Sequence, residues 1–231
     1  LSLNVWILAN IIQQATYIYS SRFLNFRNDP QGRQSDQMCQ AARSITANIA
    51  EGMSRQQTSY ETEIRLLDVA RASGSELWGD YLSSILKNGQ IPWRNNEPEA
   101  TIINNIDLDR PDYGEDLGHD VGEHIMAQLA KFDRWVREGD EVAFSNCLMI
   151  LIKRVQQMLD KLISRKHADF KQSGGFAENM TKDRLAAIRQ QAATEGAPQC
   201  PLCGKPMSRR MAKRGSNQGN EFWSCTDWPN C

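Results

Sequence analysis

Apolar residues recur at alternating intervals of four and three positions in several separate segments of the chain. The most regular run predicts a helix over residues 141–166, and its apolar positions are Phe144, Leu148, Leu151, Val155, Met158 and Leu162. This spacing is typical of a helix that buries one face against other helices. Because no alternating strand pattern competes with it before residue 195, the first 166 residues are predicted to be mainly α-helical.

The same pattern predicts further helices over residues 3–26, 35–55, 59–87 and about 120–137. Thr58 or Ser59 can cap the third of these helices. Long helices with narrow apolar stripes favour an antiparallel four-helix bundle. We therefore expect a bundle over residues 1–166, with an insertion at about 88–140 that holds one helix. A linker with a short helix at about 181–193 follows over residues 167–197, and a small module occupies residues 198–231.

Charge is nearly balanced over the 231 residues, with 27 basic and 28 acidic side chains, but it is unevenly spread. Residues 97–123 hold nine acidic residues and one arginine, and the connection at 90–118 is expected to lack helices. Residues 198–231 hold five basic and two acidic residues. No apolar run approaches the roughly 18 residues of a membrane span. The first residues lack the features of a secretory signal, so we expect a cytoplasmic protein.

Four of the six cysteines lie within the last 32 residues: Cys200, Cys203, Cys225 and Cys231. Two closely spaced pairs of thiolates can surround one tetrahedral Zn²⁺ ion. A segment of this size cannot bury enough apolar surface to fold alone, so the metal would supply the free energy of folding. The sequence thus predicts one structural zinc ion in a small C-terminal zinc ribbon. A disulfide framework is the alternative, and it conflicts with a reducing compartment.

This tail resembles the C-terminal four-cysteine zinc finger of bacterial type I DNA topoisomerases. The matching stretches are CPLCGKPM, RMAKRG, GNEFWSC and DWPNC, which begin at residues 200, 210, 219 and 227. The resemblance implies a ribbon that binds single-stranded DNA. The residues themselves favour the same function, because cations contact phosphates and aromatic rings stack on bases. The candidate contacts to single-stranded DNA or RNA are Lys205, Arg209, Arg210, Lys213, Arg214, Phe222, Trp223 and Trp228.

Two interpretations of this tail remain open. Phe222 and Trp223 can instead form a minimal core of the ribbon, with the basic residues as a solvated face. The ribbon can also dock a protein rather than a nucleic acid. Trp228 is the aromatic residue that we expect to be most exposed.

The helical part also resembles a known family. Residues 36–52 (DQMCQAARSITANIAEG) are similar to the second helix of a small four-helix-bundle family, and residues 63–77 (EIRLLDVARASGSEL) to its third. The family includes ribosomal-RNA intervening-sequence proteins, a "four helix bundle suffix" group and the accessory variability determinant of diversity-generating retroelements. The resemblance covers about residues 5–87 and resumes at 141–166. The resemblance implies that this chain forms a homopentamer. The retroelement member of the family further implies a reverse transcriptase as a partner.

Other candidate sites are rejected. Asp116, His119, Asp120, Glu123 and His124 form a row of possible metal ligands, but a metal site in a bundle needs ligands from several facing helices, and the first three helices hold no histidine. An acidic start of a helix explains the row better. Cys39 and Cys147 are interpreted as small core residues, because no nearby histidine activates them. The sequence holds no nucleotide-binding or hydrolase motif. We therefore predict a non-enzymatic, oligomeric nucleic-acid-binding protein that assists a nucleic-acid enzyme, the alternative being a protein–protein scaffold with a purely structural zinc.

Overall fold

The computed structural model describes residues 4–55, 59–174, 176–194 and 196–231, which form eight helices and two strands. The helices are α1 (Asn4–Phe23), α2 (Arg33–Arg55), α3 (Tyr60–Lys87), α4 (Pro98–Asn105), α5 (Leu117–Ala130), α6 (Asp133–Val136), α7 (Glu141–Ser173) and α8 (Phe176–Thr194). The strands are β1 (Met207–Met211) and β2 (Glu221–Cys225). The chain forms two compact units, Leu1–Lys171 and Gln172–Cys231. The predicted class, mainly α with a small C-terminal module, is confirmed.

Helices α1, α2, α3 and α7 run in alternating directions in the first unit. The start of α7 meets the end of α3, where Ser84 Oγ donates to Glu141 Oε1 at 2.8 Å. The end of α7 meets the start of α3, where Lys166 Nζ lies 3.0 Å from Glu63 Oε1. In the same way, the end of α1 meets the start of α2 through a hydrogen bond between Ser20 and Ser35. These pairings establish the antiparallel four-helix bundle.

The core of this unit contains residues from α1 to α7, and α1 is enclosed on several sides. Ile7, Leu8, Ile11 and Ile12 are fully buried although they do not share one narrow stripe. A helix that is apolar on several sides is covered on several sides. The bundle helices cover part of α1, and α5 and α6 of the insertion also contact it. The insertion therefore belongs to the folded unit.

The acidic connection contains a helix that the sequence analysis did not predict. Pro98 lies in the first turn of α4, where the backbone N–H that proline lacks would have no partner within the helix. Ala100 and Ile103 are buried on its inner side. Arg154 of α7 holds the end of α4 by donating to the carbonyl oxygens of Ile103 and Ile106 at 2.9 and 2.8 Å. The expectation of a helix-free connection is thus corrected.

Several element boundaries also differ from the predictions. The first helix ends at Phe23 rather than near residue 26, and the helix expected at about 120–137 is divided into α5 and α6. The last helix of the bundle continues to Ser173, and α8 covers 19 residues of the segment that was expected to be a linker with a short helix. Ser59 is the cap of α3, since its side chain accepts from Thr62 N, and Thr58 lies outside the described residues.

The second unit contains α8 and the antiparallel hairpin of β1 and β2. The register pairs Met207 with Cys225 and Met211 with Glu221, and α8 lies against β1. None of the helices within the described residues has the length and apolar character that crossing a membrane requires.

Candidate functional site

The four C-terminal cysteines converge in the second unit. Their Sγ atoms all lie within 4.8 Å of one another. Cys200 and Cys231 Sγ are 3.7 Å apart, and Cys203 and Cys225 Sγ are 3.4 Å apart, so close contacts join the first sequence pair to the second. All four thiols are free. Such a cluster could hold a metal ion, and it is the only potential metal-binding group of three or more side chains among the described residues.

Local backbone geometry places the first two sulfur atoms. Cys200 N donates to Lys205 O at 2.8 Å, and Gly204 N donates to Cys200 O at 2.9 Å, which closes a tight turn around Cys203. Gly204 adopts a φ of 69°, a conformation that favours glycine. Such a turn directs backbone N–H groups at the sulfur. The N–H groups of Leu202 and Cys203 accordingly lower the pKa of the Cys200 thiol to about 7.

The other two sulfur atoms come from the end of β2 and from the last residue. Cys225 accepts a hydrogen bond from Asp227 N at 3.4 Å. The neighbouring Cys203 and Cys200 side chains raise the pKa of Cys231 to about 12. Once one thiol of such a cluster is ionised, a further thiolate is unfavourable until a cation compensates the charge. The cluster is therefore suited to a cation and poorly suited to holding four thiolates by itself.

Thr226 links the segment that contains Cys225 to the segment that contains Cys200 and Cys203. It follows Cys225 and is 1% exposed. Its hydroxyl donates to Pro206 O at 2.8 Å, and its backbone N donates to the same oxygen at 3.3 Å. Pro206 follows the first cysteine pair, so this double hydrogen bond keeps both pairs in register. The sequence analysis did not identify this residue, and its only signal was its position directly after a ligand.

The three aromatic candidates are exposed: Phe222 and Trp223 lie on β2, and Trp228 follows it. Phe222 is 48% exposed, Trp223 37% and Trp228 62%. The expectation that Trp228 is the most exposed of the three is confirmed. The alternative in which Phe222 and Trp223 form the core of the ribbon is not supported, because a core residue would be covered.

The basic candidates fall into two groups. Lys205 Nζ lies 2.8 Å from Asp227 Oδ2, and Arg209 Nη1 lies 3.4 Å from Glu221 Oε2. The other three, Arg210, Lys213 and Arg214, form no ion pair with any described residue and are exposed. The sequence analysis treated all five cations alike, since the pairing depends on the hairpin register.

The first three helices of the chain match a known family. Residues 2–88 match the family of 23S rRNA-intervening sequence proteins. The match ends one residue after α3, so it covers three helices of the bundle, and residues 89–231 lie outside it. Neither the curated proteins nor the solved structures gave a match.

The acidic and histidine residues between positions 116 and 124, which were rejected as a metal site, form structural contacts at the start of α5. Asp116 caps this helix by accepting from His119 N, and Asp120 accepts from Gly114 N at 2.7 Å. His124 lies edge-on to the ring of Tyr113. These contacts explain part of the cluster as helix capping and loop closure.

The two cysteines outside the tail lie in the bundle. Cys147 is fully buried and Cys39 is half-buried. Burial raises the pKa of both thiols, which keeps them protonated and unreactive at neutral pH.

Proposed function

We propose that the second unit is a structural zinc module. Four thiolates at about 2.3 Å from a tetrahedral zinc ion stand about 3.8 Å apart. The two close sulfur pairs, at 3.7 and 3.4 Å, lie near that value. Tetrahedral sets of four sulfur ligands select zinc or iron, and zinc fits a role without redox chemistry. Cys200, Cys203, Cys225 and Cys231 would hold the ion, which is expected to remain bound in a reducing cytoplasm.

The module is further proposed to bind single-stranded DNA or RNA, with no catalytic step of its own. The observation that supports this function is that one small unit carries both exposed aromatic rings and exposed cations that pair with no acidic side chain among the described residues. Phe222 and Trp228 are exposed on the same unit as the exposed cations Arg210, Lys213 and Arg214. Base stacking combined with phosphate contacts holds a single strand with little sequence preference.

The test is a titration of the full chain with a labelled single-stranded oligonucleotide at several salt concentrations. Each phosphate contact to a single strand contributes about 0.7 to the slope of log K against log salt. Replacing Arg210, Lys213 and Arg214 by alanine should therefore weaken binding and reduce the slope by about 2. Replacing three exposed cations of the bundle, Arg65, Lys87 and Lys161, is the matched control and should change the slope less. Equal slopes for the two triple variants would contradict the proposal.

The bundle is proposed to act as an oligomeric platform that brings the module to a nucleic-acid enzyme, such as a reverse transcriptase of a diversity-generating retroelement. The family match over residues 2–88 and the resemblance of the helical sequence support this role. Several modules on one oligomer would raise the apparent affinity through avidity. Light scattering tests the assembly, for which we expect five copies of the 26.2-kDa chain. Co-purification from the source cells with such an enzyme, identified by mass spectrometry, tests the partner.

A protein-docking role is the second candidate. Leu202 is 84% exposed and Met211 62% exposed, and both lie in the same unit as Trp228. Exposed apolar side chains of this kind can mark a contact surface for a protein. If the full chain binds no oligonucleotide at low salt, while Leu202→Asp abolishes capture of a partner protein, this second function replaces the first.

A further inference from the structure

The hairpin of β1 and β2 presents two faces, each with one cation next to one ring. Residues directly opposite each other in an antiparallel pair share a face, and neighbouring pairs alternate between faces. Arg209 pairs with Trp223, and Arg210 pairs with Phe222. The two pairs therefore lie on opposite faces, which we name the Trp223 face and the Phe222 face. A single strand can follow only one of them at a time.

On the Trp223 face, both groups are already engaged within the hairpin. The Arg209 guanidinium carbon lies 5.4 Å from the centre of the Trp223 ring, a cation–π arrangement. The same guanidinium lies 3.4 Å from the Glu221 carboxylate, whose position on the strand puts it on this face as well. A base would have to displace the arginine from the ring. A phosphate would be repelled by the carboxylate and would have to displace it from the arginine.

On the Phe222 face, both groups are available. Phe222 is more exposed than Trp223, at 48% against 37%. Within the described part of the chain, Phe222 has no aromatic or cationic partner and Arg210 has no ion-pair partner. The next pair on the same face is Ser208 with Ser224, two small hydroxyl side chains. No acidic residue occupies this face of the two strands.

We infer that single-stranded nucleic acid binds on the Phe222 face, with a base stacked on the Phe222 ring and a phosphate contacting Arg210. This inference rests on the proposed nucleic-acid-binding function and adds which face carries it. On the opposite face, Arg209 covers the Trp223 ring, and the negative charge of Glu221 repels a polyanion. Lys213 and Arg214, in the connection between the strands, extend the cationic path.

The experiment compares matched single variants of the full, metal-loaded chain in binding a labelled oligothymidylate of about 12 nucleotides. Phe222→Ala should weaken binding by about 5- to 150-fold, the loss that one stacked base gives. Arg210→Ala should reduce the salt slope by about 0.7. Trp223→Ala and Arg209→Ala are expected to change affinity by less than about twofold, because their groups do not meet the strand.

Metal content is measured for every variant. If an alanine variant loses metal, Phe222→Leu and Trp223→Leu replace the two alanine changes, since they remove the ring and keep apolar bulk. Loss of binding in the Trp223 and Arg209 variants, or an equal loss on both faces, overturns the inference and leaves the proposed function intact. Failure of the unaltered chain to bind at low salt overturns the proposed function itself.

Discussion

Two buried tyrosines show how single side chains govern the stability of the bundle. Tyr19 and Tyr81 are fully buried on α1 and α3, with ring centres 5.1 Å apart in an edge-to-face arrangement. The Tyr19 hydroxyl donates to Ser84 Oγ at 2.7 Å, and the Tyr81 hydroxyl lies 3.0 Å from Thr16 Oγ1. Burial is the main cause that raises the pKa of both phenols well above the ordinary value, because a charged phenolate is poorly solvated there.

These shifts predict that the bundle loses stability in alkali. Below about pH 10 the tyrosines are neutral in both the folded and the unfolded chain. Above that pH the unfolded chain releases the Tyr81 proton while the folded chain retains it, so the free energy of unfolding falls by about 1.4 kcal/mol per pH unit for this residue. Urea unfolding between pH 8 and pH 11 measures the slope.

Tyr81→Phe is the matched variant for this prediction. It keeps the ring and removes the titrating group, so its stability should decline less steeply with pH than that of the unaltered chain. Its absolute stability at neutral pH should fall by about 1 kcal/mol, because Thr16 loses a hydrogen-bond partner. Identical slopes in the two proteins would mean that Tyr81 ionises as readily in the folded state as in the unfolded state.

At the scale of the helices, α3 and α7 are joined by two ion pairs of different burial. Glu63 is 2% exposed and its partner Lys166 16%, with 3.0 Å between Oε1 and Nζ. Arg71 and Asp160 also lie 3.0 Å apart, but they are 47% and 55% exposed. Removing the cationic partner of a buried carboxylate costs much more stability than removing that of a solvated carboxylate. The first pair should therefore determine how tightly the ends of these two helices are held.

Lys166→Met should destabilise the protein by about 3 kcal/mol, since it leaves Glu63 charged and buried without a partner. Arg71→Met, the control on the same helix pair, should cost less than about 1 kcal/mol. Replacing Glu63 and Lys166 together by apolar residues should restore most of the loss. Urea midpoints of the four proteins measure these differences, and equal costs for the two single variants would contradict the assignment.

The sequence predicted those helices that have a repeated apolar stripe and failed for those that do not. Helix α7 has six stripe positions, whereas α4 is only eight residues long and buries Ala100 and Ile103 alone. Two buried apolar positions are too few to reveal a helical period. The directions of α1, α2 and α3 follow from their short connections, but the docking of the insertion between α3 and α7 depends on tertiary contacts such as those of Arg154.

The four candidate metal ligands could be predicted from the sequence, but the face of the hairpin on which each basic or aromatic residue lies could not. Two cysteine pairs in a short segment indicate a metal site from spacing alone. The opposite faces of Arg209 and Arg210 follow from the pairing register, and a shift of one residue would exchange them. Whether a basic residue already has a carboxylate partner also depends on that register. The sequence therefore predicts which residues form this surface, and the structure shows which face of the hairpin each of them occupies.

At the scale of the whole molecule, the two units have different sources of stability. Leu1–Lys171 has a core that contains residues from seven helices. In Gln172–Cys231, the described residues that are buried are Cys200, Cys225 and Thr226. No aliphatic side chain is among them. A unit whose described residues form no apolar core needs another source of free energy, and metal binding can supply it.

Removal of the metal should consequently unfold the second unit and leave the first intact. In a strong chelator, limited proteolysis followed by mass spectrometry should show new cleavage within residues 172–231, while residues 4–171 stay resistant and the urea midpoint of the bundle is unchanged. Cys203→Ser should give the same pattern without chelator, because three thiolates hold the ion more weakly than four. Cys39→Ser is the control, since its half-buried thiol lies in the bundle and should not affect metal content. Resistance of residues 172–231 in the chelator would show that the unit folds by itself, and the structural role proposed for zinc would then be wrong.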